Sequence, residues 1–318
     1  MILTDYFRSQ PDVTWDYAKQ CGVSHGVIRL PEDGKFDLTN QSHWETVYKR
    51  FTDFGITPIV VEPMPNEVHD HIKTGDSRRD ESIEKVLKML PIMRDLHIGT
   101  ICFNWMAHIG WLRTNGDLIE RGGAKVTGFC LDDLKESQAK ITEEELWKNY
   151  DYFLRAVLPM AERCGICLAL HPDDPPIENL GGVARIMTSV ENVKKAIYGV
   201  YPSENLGITM CQATYYMMGA DLEKTIAEFA DKIMFVHFRN ATGTKTNFRE
   251  TFHDNGDLDM ANLIRLYTGL GLDVPVRVDH VPTLKGENTL VAGYAAQGRL
   301  FAIGYLKGLL EMAKKGTR

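Results

Sequence analysis

Residues 161–176 read AERCGICLALHPDDPP, and the order of events in them decides how the chain folds. A helical stretch closes on Gly165, Ile166 to Leu170 form an apolar run, the run stops on the imidazole of His171, and Pro172, Pro175 and Pro176 stiffen the loop beyond it. Glycine just past a last helical turn supplies the left-handed cap that ends a helix without steric cost. A short unbroken apolar run after such a cap reads as a strand buried on both faces, as in a parallel sheet. The same phrase recurs as AKQCGVSHGVIR (18–29), FTDFGITPIVVE (51–62), RDLHIGTICFN (94–104), NLGITMC (205–211), DKIMFVHFR (231–239) and GLGLDVPVRVD (269–279). With ILTDYF at 2–7 the chain holds eight strand candidates.

Amphipathic helices fill the intervals. Leu146, Tyr150, Phe153, Leu154, Val157 and Leu158 recur at helical spacing. Thr142 with Glu145, and Thr188 with Glu191, have the spacing of a capping box. Pro91 and Pro159 fall inside helical patterns and are expected to kink or shorten them. Strict alternation with no compositional break predicts an α/β fold, a (β/α)8 TIM barrel occupying residues 1–318 as a single domain, in preference to a doubly wound sheet. The segments after strands 3 and 4, residues 63–79 and 105–140, are too long for plain connections and are expected as long loops serving as lids or interfaces.

Composition narrows the partners. A hydrophobic fraction of 44%, a charged fraction of 25% and a net charge of -7, with no dense Lys/Arg run, point to a globular protein with a small-molecule ligand. Nucleic acid and membrane are not expected partners. Asp5 and Arg8 interrupt the place where a signal peptide would need its apolar segment, so the expected location is cytoplasmic. The six cysteines are scattered as reduced thiols are, and CGIC at 164–167 closes a helix and opens a strand, unlike a redox or zinc motif. A homo-oligomer, a dimer first, is the assembly to expect.

In such a barrel the site lies at the carboxyl ends of the strands. Those ends are Arg29, Glu62, Asn104, His171, Cys211, His237 and Asp279, all polar or ligand-capable. Any one alone reads as a strand end meeting solvent; together they read as a site. His171, Cys211, His237 and Asp279 stand on four successive strands, and two imidazoles, a thiol and a carboxylate suit a divalent transition metal, with open positions if the ion is Mn²⁺ or Fe²⁺. Asp173 and Asp174 are placed to orient the imidazole. Arg239, Arg277 and Arg299 imply an anionic substrate, since the guanidinium fork matches a carboxylate. His280 and Tyr294 are candidates for proton transfer.

The series LHPDDPP (170–176), MCQ (210–212), VHFRN (236–240), FHDNGDLDM (252–260), RVDH (277–280) and GRLFAIGYLKGLLE (298–311), with CFNWM at 102–106 and DYF at 5–7, resembles the mannonate dehydratase family over nearly the whole chain. Val278 stands where that family usually has proline, and Ala213 where it commonly has glycine. The resemblance implies a barrel related to xylose isomerase and a metal-dependent loss of water from D-mannonate to give 2-keto-3-deoxy-D-gluconate, in glucuronate catabolism. It implies His171, Cys211, His237 and Asp279 as ligands of Mn²⁺ or Fe²⁺ and His280 and Tyr294 as the acid-base residues. Asn104, Arg239, Asn240, His253, Arg277 and Arg299 are then expected to bind the sugar acid. The alternatives are a metal-dependent sugar or sugar-acid isomerase or epimerase, a dehydratase of a related aldonic acid, and a non-catalytic sugar-acid binding protein. No G-x-G-x-x-G or Walker A pattern calls for a nucleotide cofactor.

Overall fold

The computed structural model describes residues 1–289 and 291–316; of the expected 1–318 span, Leu290, Thr317 and Arg318 lie outside the described residues. Eight parallel strands close a barrel: β1 (Ile2–Phe7), β2 (His25–Ile28), β3 (Thr57–Val61), β4 (Thr100–Asn104), β5 (Cys167–His171), β6 (Leu206–Cys211), β7 (Ile233–Phe238) and β8 (Pro275–Val278), each hydrogen-bonded to its chain neighbours and β8 to β1. All eight fall on the segments expected as strands. The helix Glu143–Cys164 begins on the capping box of Thr142 and Glu145 and ends at Gly165 with φ 66°.

The apolar runs are unbroken because both strand faces are covered. In β4, Cys102 points into the barrel with Tyr6, Val27, Val60, Ala169 and Phe235. Its neighbours Ile101 and Phe103 point outward into the larger core beneath the helices. Each large apolar side chain so buried stabilises by about 1.5–3 kcal/mol.

Several local expectations are corrected. Pro91 and Pro159 do not shorten their helices, which run Arg79–Asp95 and Glu143–Cys164. The cap proposed at Thr188 sits one residue later, where the Ser189 side chain accepts from the Asn192 amide. The long segments are also built structure and not plain loops. Residues 63–79 contain the helix Asn66–Thr74, which buries Val68, His69, Ile72 and Lys73. Residues 105–140 contribute strands Asn115–Ile119 and Lys125–Cys130 to an antiparallel four-stranded sheet completed by Ala241–Thr244 and Asn247–Glu250 from the segment after β7. This inserted sheet packs Phe129, Ala241 and Phe248 against Ile177, Leu180, Ala213 and Met217.

Candidate active site

Register sets the floor of the site. Asn104 pairs beside His171, Cys211 beside His237, and His237 beside Arg277, so one ring of polar side chains forms where the strands end. Above it opens a cavity of about 1200 Å³ lined by Glu62, Asn104, His171, His237, Arg277, Asp279, His280, Tyr294 and Arg299, with Trp111 from the insertion after β4.

One ligand atom each from His171, Cys211 and His237 lies within 4.8 Å of the others. The turn from His171 into Pro172 explains the first of these. His171 Nδ1 donates to the Pro172 carbonyl at 2.6 Å, which leaves Nε2 as the nitrogen that offers a lone pair once its proton is lost. Burial opposes charge on this ring, but the Cys211 sulfur, with Asp174 and Asp279, pushes its pKa up to about 9. Burial alone would likewise raise the Cys211 thiol; Arg239, whose Nε lies 3.3 Å from the sulfur, and the His171 and His237 imidazoles hold it well below the ordinary thiol range. Among the described residues neither buried ring nitrogen of His237 has an aligned hydrogen bond, although Nε2 stands 3.0 Å from Glu62 and Nδ1 3.7 Å from Asp279. Unpaired buried nitrogens are costly. A thiolate and two imidazoles, whose ring protons a metal would displace, are a donor set that fits a divalent transition metal.

Asp279 lies at the edge of this group and not inside it. Its Oδ1 accepts from Arg277 at 2.9 Å and its Oδ2 stands 3.0 Å from Arg239 Nε. Glu62 takes the rest of Arg277 in a fork of 2.8 and 2.9 Å; burial would raise its pKa, but Arg277 and then His237 outweigh that and keep it ionised. Arg299 donates to the Tyr6 carbonyl at 2.7 Å, with Asp5 at 3.7 Å.

The expected acid-base residues are in contact. Tyr294 Oη is 3.2 Å from His280 Nε2, and His280 Nδ1 is 2.6 Å from Glu250 Oε1. Burial raises the Tyr294 phenol well above its ordinary value, with Asp279 acting in the same direction.

Three residues expected to touch substrate are placed elsewhere. Asn240 donates to the carbonyls of His253 and Leu258 and accepts from the Ala241 and Leu258 amides. His253 is buried with Nε2 donating to the Phe238 carbonyl at 2.8 Å. Arg239 lies behind the ligand group, bound to Asp174, Glu250 and Thr214. None of the three lines the cavity. Being polar near a strand end gave their direction in sequence, not their partners. Conversely, Glu250, Arg113 and Trp111 reach the site from the inserted sheet and its approach, and no motif spacing marks them.

The closed parallel barrel, with its His-Cys-His group and its histidine-tyrosine pair at the carboxyl end, defines a (β/α)8 barrel protein whose candidate active site lies where such barrels place theirs. A xylose isomerase domain protein from Planctomyces limnophilus shares this fold, with TM-score 0.62 at 12% identity over 99% of this chain and 98% of that one. The chain belongs to the D-mannonate dehydratase family: the model of D-mannonate dehydratase (UxuA) matches residues 2–140 and 130–318. Mannonate dehydratase 2 of Halalkalibacterium halodurans is 31% identical, covering 96% of this chain and 97% of its own. Mannonate dehydratase of Streptococcus pneumoniae is 31% identical over 91% of this chain and 86% of its own. The crystal structure of mannonate dehydratase from Streptococcus suis serotype 2 superposes with TM-score 0.91 at 28% identity, over 100% of this chain and 94% of that one. Among the described residues no helix is long and apolar enough to cross a membrane.

Proposed function

We propose that this enzyme removes water from D-mannonate, taking the C2 proton and the C3 hydroxyl, to give 2-keto-3-deoxy-D-gluconate in hexuronate catabolism. Family membership supports the reaction; the observation that carries the mechanism is the 3.2 Å contact between Tyr294 and His280 beside the His171, Cys211 and His237 group. Those three side chains, with Asp279 at their edge, are the ones that would hold Mn²⁺ or Fe²⁺. When bound, such an ion supplies positive charge to the substrate carboxylate as the neighbouring carbon loses its proton. His280, with Nδ1 tied to Glu250, offers Nε2 as the base for C2. Tyr294, kept protonated by burial, is the acid for the C3 hydroxyl, which leaves as water. Proton return from His280 to Tyr294 across their hydrogen bond resets both groups, and the enol product rearranges to the ketone. Asn104, Arg277 and Arg299 line the cavity and orient the sugar acid.

Six free cysteines accord with a cytoplasmic enzyme, and a homodimer is the assembly we propose. The test is incubation of Mn²⁺-loaded protein with D-mannonate and a panel of other aldonic acids, followed by assay for 2-keto-3-deoxy acids. Product from mannonate is expected. An epimer or an aldose-ketose pair in its place would assign the barrel to the isomerase and epimerase alternative.

A further inference from the structure

Glu250 ends the strand Asn247–Glu250 of the inserted sheet and is 3% exposed. Its Oε1 accepts from His280 Nδ1 at 2.6 Å, Arg113 Nη2 at 2.6 Å and Arg239 Nη1 at 2.5 Å, while Oε2 accepts from Thr127 Oγ1 at 2.5 Å. Asp174 holds the same two arginines from their other side, Arg113 at 2.7 and 3.0 Å and Arg239 at 2.5 Å. A carboxylate gripped this way cannot turn, and an ionised carboxylate only accepts. The ring proton of neutral His280 must then sit on Nδ1, and Nε2 must be the lone pair that meets Tyr294. Trp111 closes the ring's face, its centroid 4.6 Å away.

We infer that Glu250 is a positioning residue for the dehydration: it fixes His280 in the Nδ1–H tautomer with Nε2 toward Tyr294, and the inserted sheet is the element that delivers it. The inference rests on the proposed roles of His280 and Tyr294 and adds what makes the histidine competent. Glutamine can keep the bond to Nδ1–H through its amide oxygen, whereas methionine of similar size cannot, so the two substitutions separate position from bulk.

The decisive measurement is nitrogen NMR of ¹⁵N-histidine-labelled enzyme loaded with diamagnetic Zn²⁺, with the His280 signals assigned by their loss in His280→Gln. The expected result is a ring proton on Nδ1 in the parent and in Glu250→Gln, and its redistribution to Nε2 in Glu250→Met. In the Mn²⁺ enzyme, Glu250→Met is expected to lower kcat about 10- to 100-fold with KM for mannonate and bound metal retained, and Glu250→Gln to recover most of the rate. A ring protonated on Nε2 alone in an active parent, or Glu250→Met turning over at the parent rate, overturns the role of Glu250. A parent inactive on mannonate overturns the dehydratase reading itself. Because the tautomer measurement requires no turnover, the two failures are distinct.

Discussion

Two side chains in the site ask for different chemistry from similar surroundings. Cys211 is buried and Tyr294 half-buried, and loss of solvent pushes both acids toward the protonated form. Arg239 and two imidazoles reverse that for the thiol; for the phenol Arg277 pulls the same way but does not prevail, and Asp279 reinforces its protonation. In the proposed mechanism this makes Cys211 the thiolate donor and Tyr294 the proton donor. Cys211→Ser replaces a ready thiolate by a hydroxyl that stays protonated, so bound metal, read by elemental analysis, and turnover should fall together. Tyr294→Phe keeps the ring and its packing against Tyr6 and Trp111 while removing the proton. It should leave metal content at the parent level and cut kcat about 10²- to 10⁴-fold. A Tyr294→Phe enzyme as active as the parent would remove the phenol from the mechanism.

The barrel strands were legible in sequence because they carry local signals: a stop that usually contains glycine, a short apolar run, and a polar residue at the exit. The inserted sheet carries none. Asn115–Ile119 is mostly exposed, Asn247–Glu250 alternates exposed with buried residues over only four positions, and the pairing that joins the two hairpins into one sheet, Asn247–Glu250 on Lys125–Cys130, links segments more than a hundred residues apart in the chain. Such pairing is set by tertiary packing, which leaves no periodicity to read. Glu250, Arg113 and Trp111 were invisible for that reason, while His171 and His237 were visible because their strands were. Gly128 offers a test at this scale. A Cβ there would meet Leu118 Cδ1 and, at 2.9 Å, the Phe248 carbonyl, so Gly128→Val must push the Asn247–Glu250 strand aside. Since Glu250 rides on that strand, the variant should retain the barrel's circular dichroism and its metal while losing turnover. Full activity in Gly128→Val would show that the sheet does not set the site's geometry.

For the whole molecule, the same burial that arranges the site also sets how the fold responds to acid. Burial holds His253 neutral, its pKa brought down to about 4 against the pull of its bond to the Phe238 carbonyl and of nearby carboxylates. Burial also lowers His69, with Lys73 acting in the same direction. A base whose folded value lies below its unfolded one favours the fold fully above the unfolded value, about 6.5, and loses that contribution as pH falls toward the folded one. For His253 this amounts to about 3 kcal/mol between pH of about 6.5 and about 4. Carboxylates act later: Glu250 is held down to about 2, where His280, Arg113 and Arg239 outweigh its burial, so its contribution disappears only below the ordinary carboxylate range. Acid should therefore destabilise the protein in two stages, histidines first. His253→Gln keeps a donor for the Phe238 carbonyl and removes the titration, so chemical unfolding from pH 7 to 4.5 should show a shallower loss of stability than in the parent, the residual slope reporting His69. Equal slopes in parent and variant would mean that His253 gains its proton without opening the fold, and that its surroundings are less dry than their packing implies.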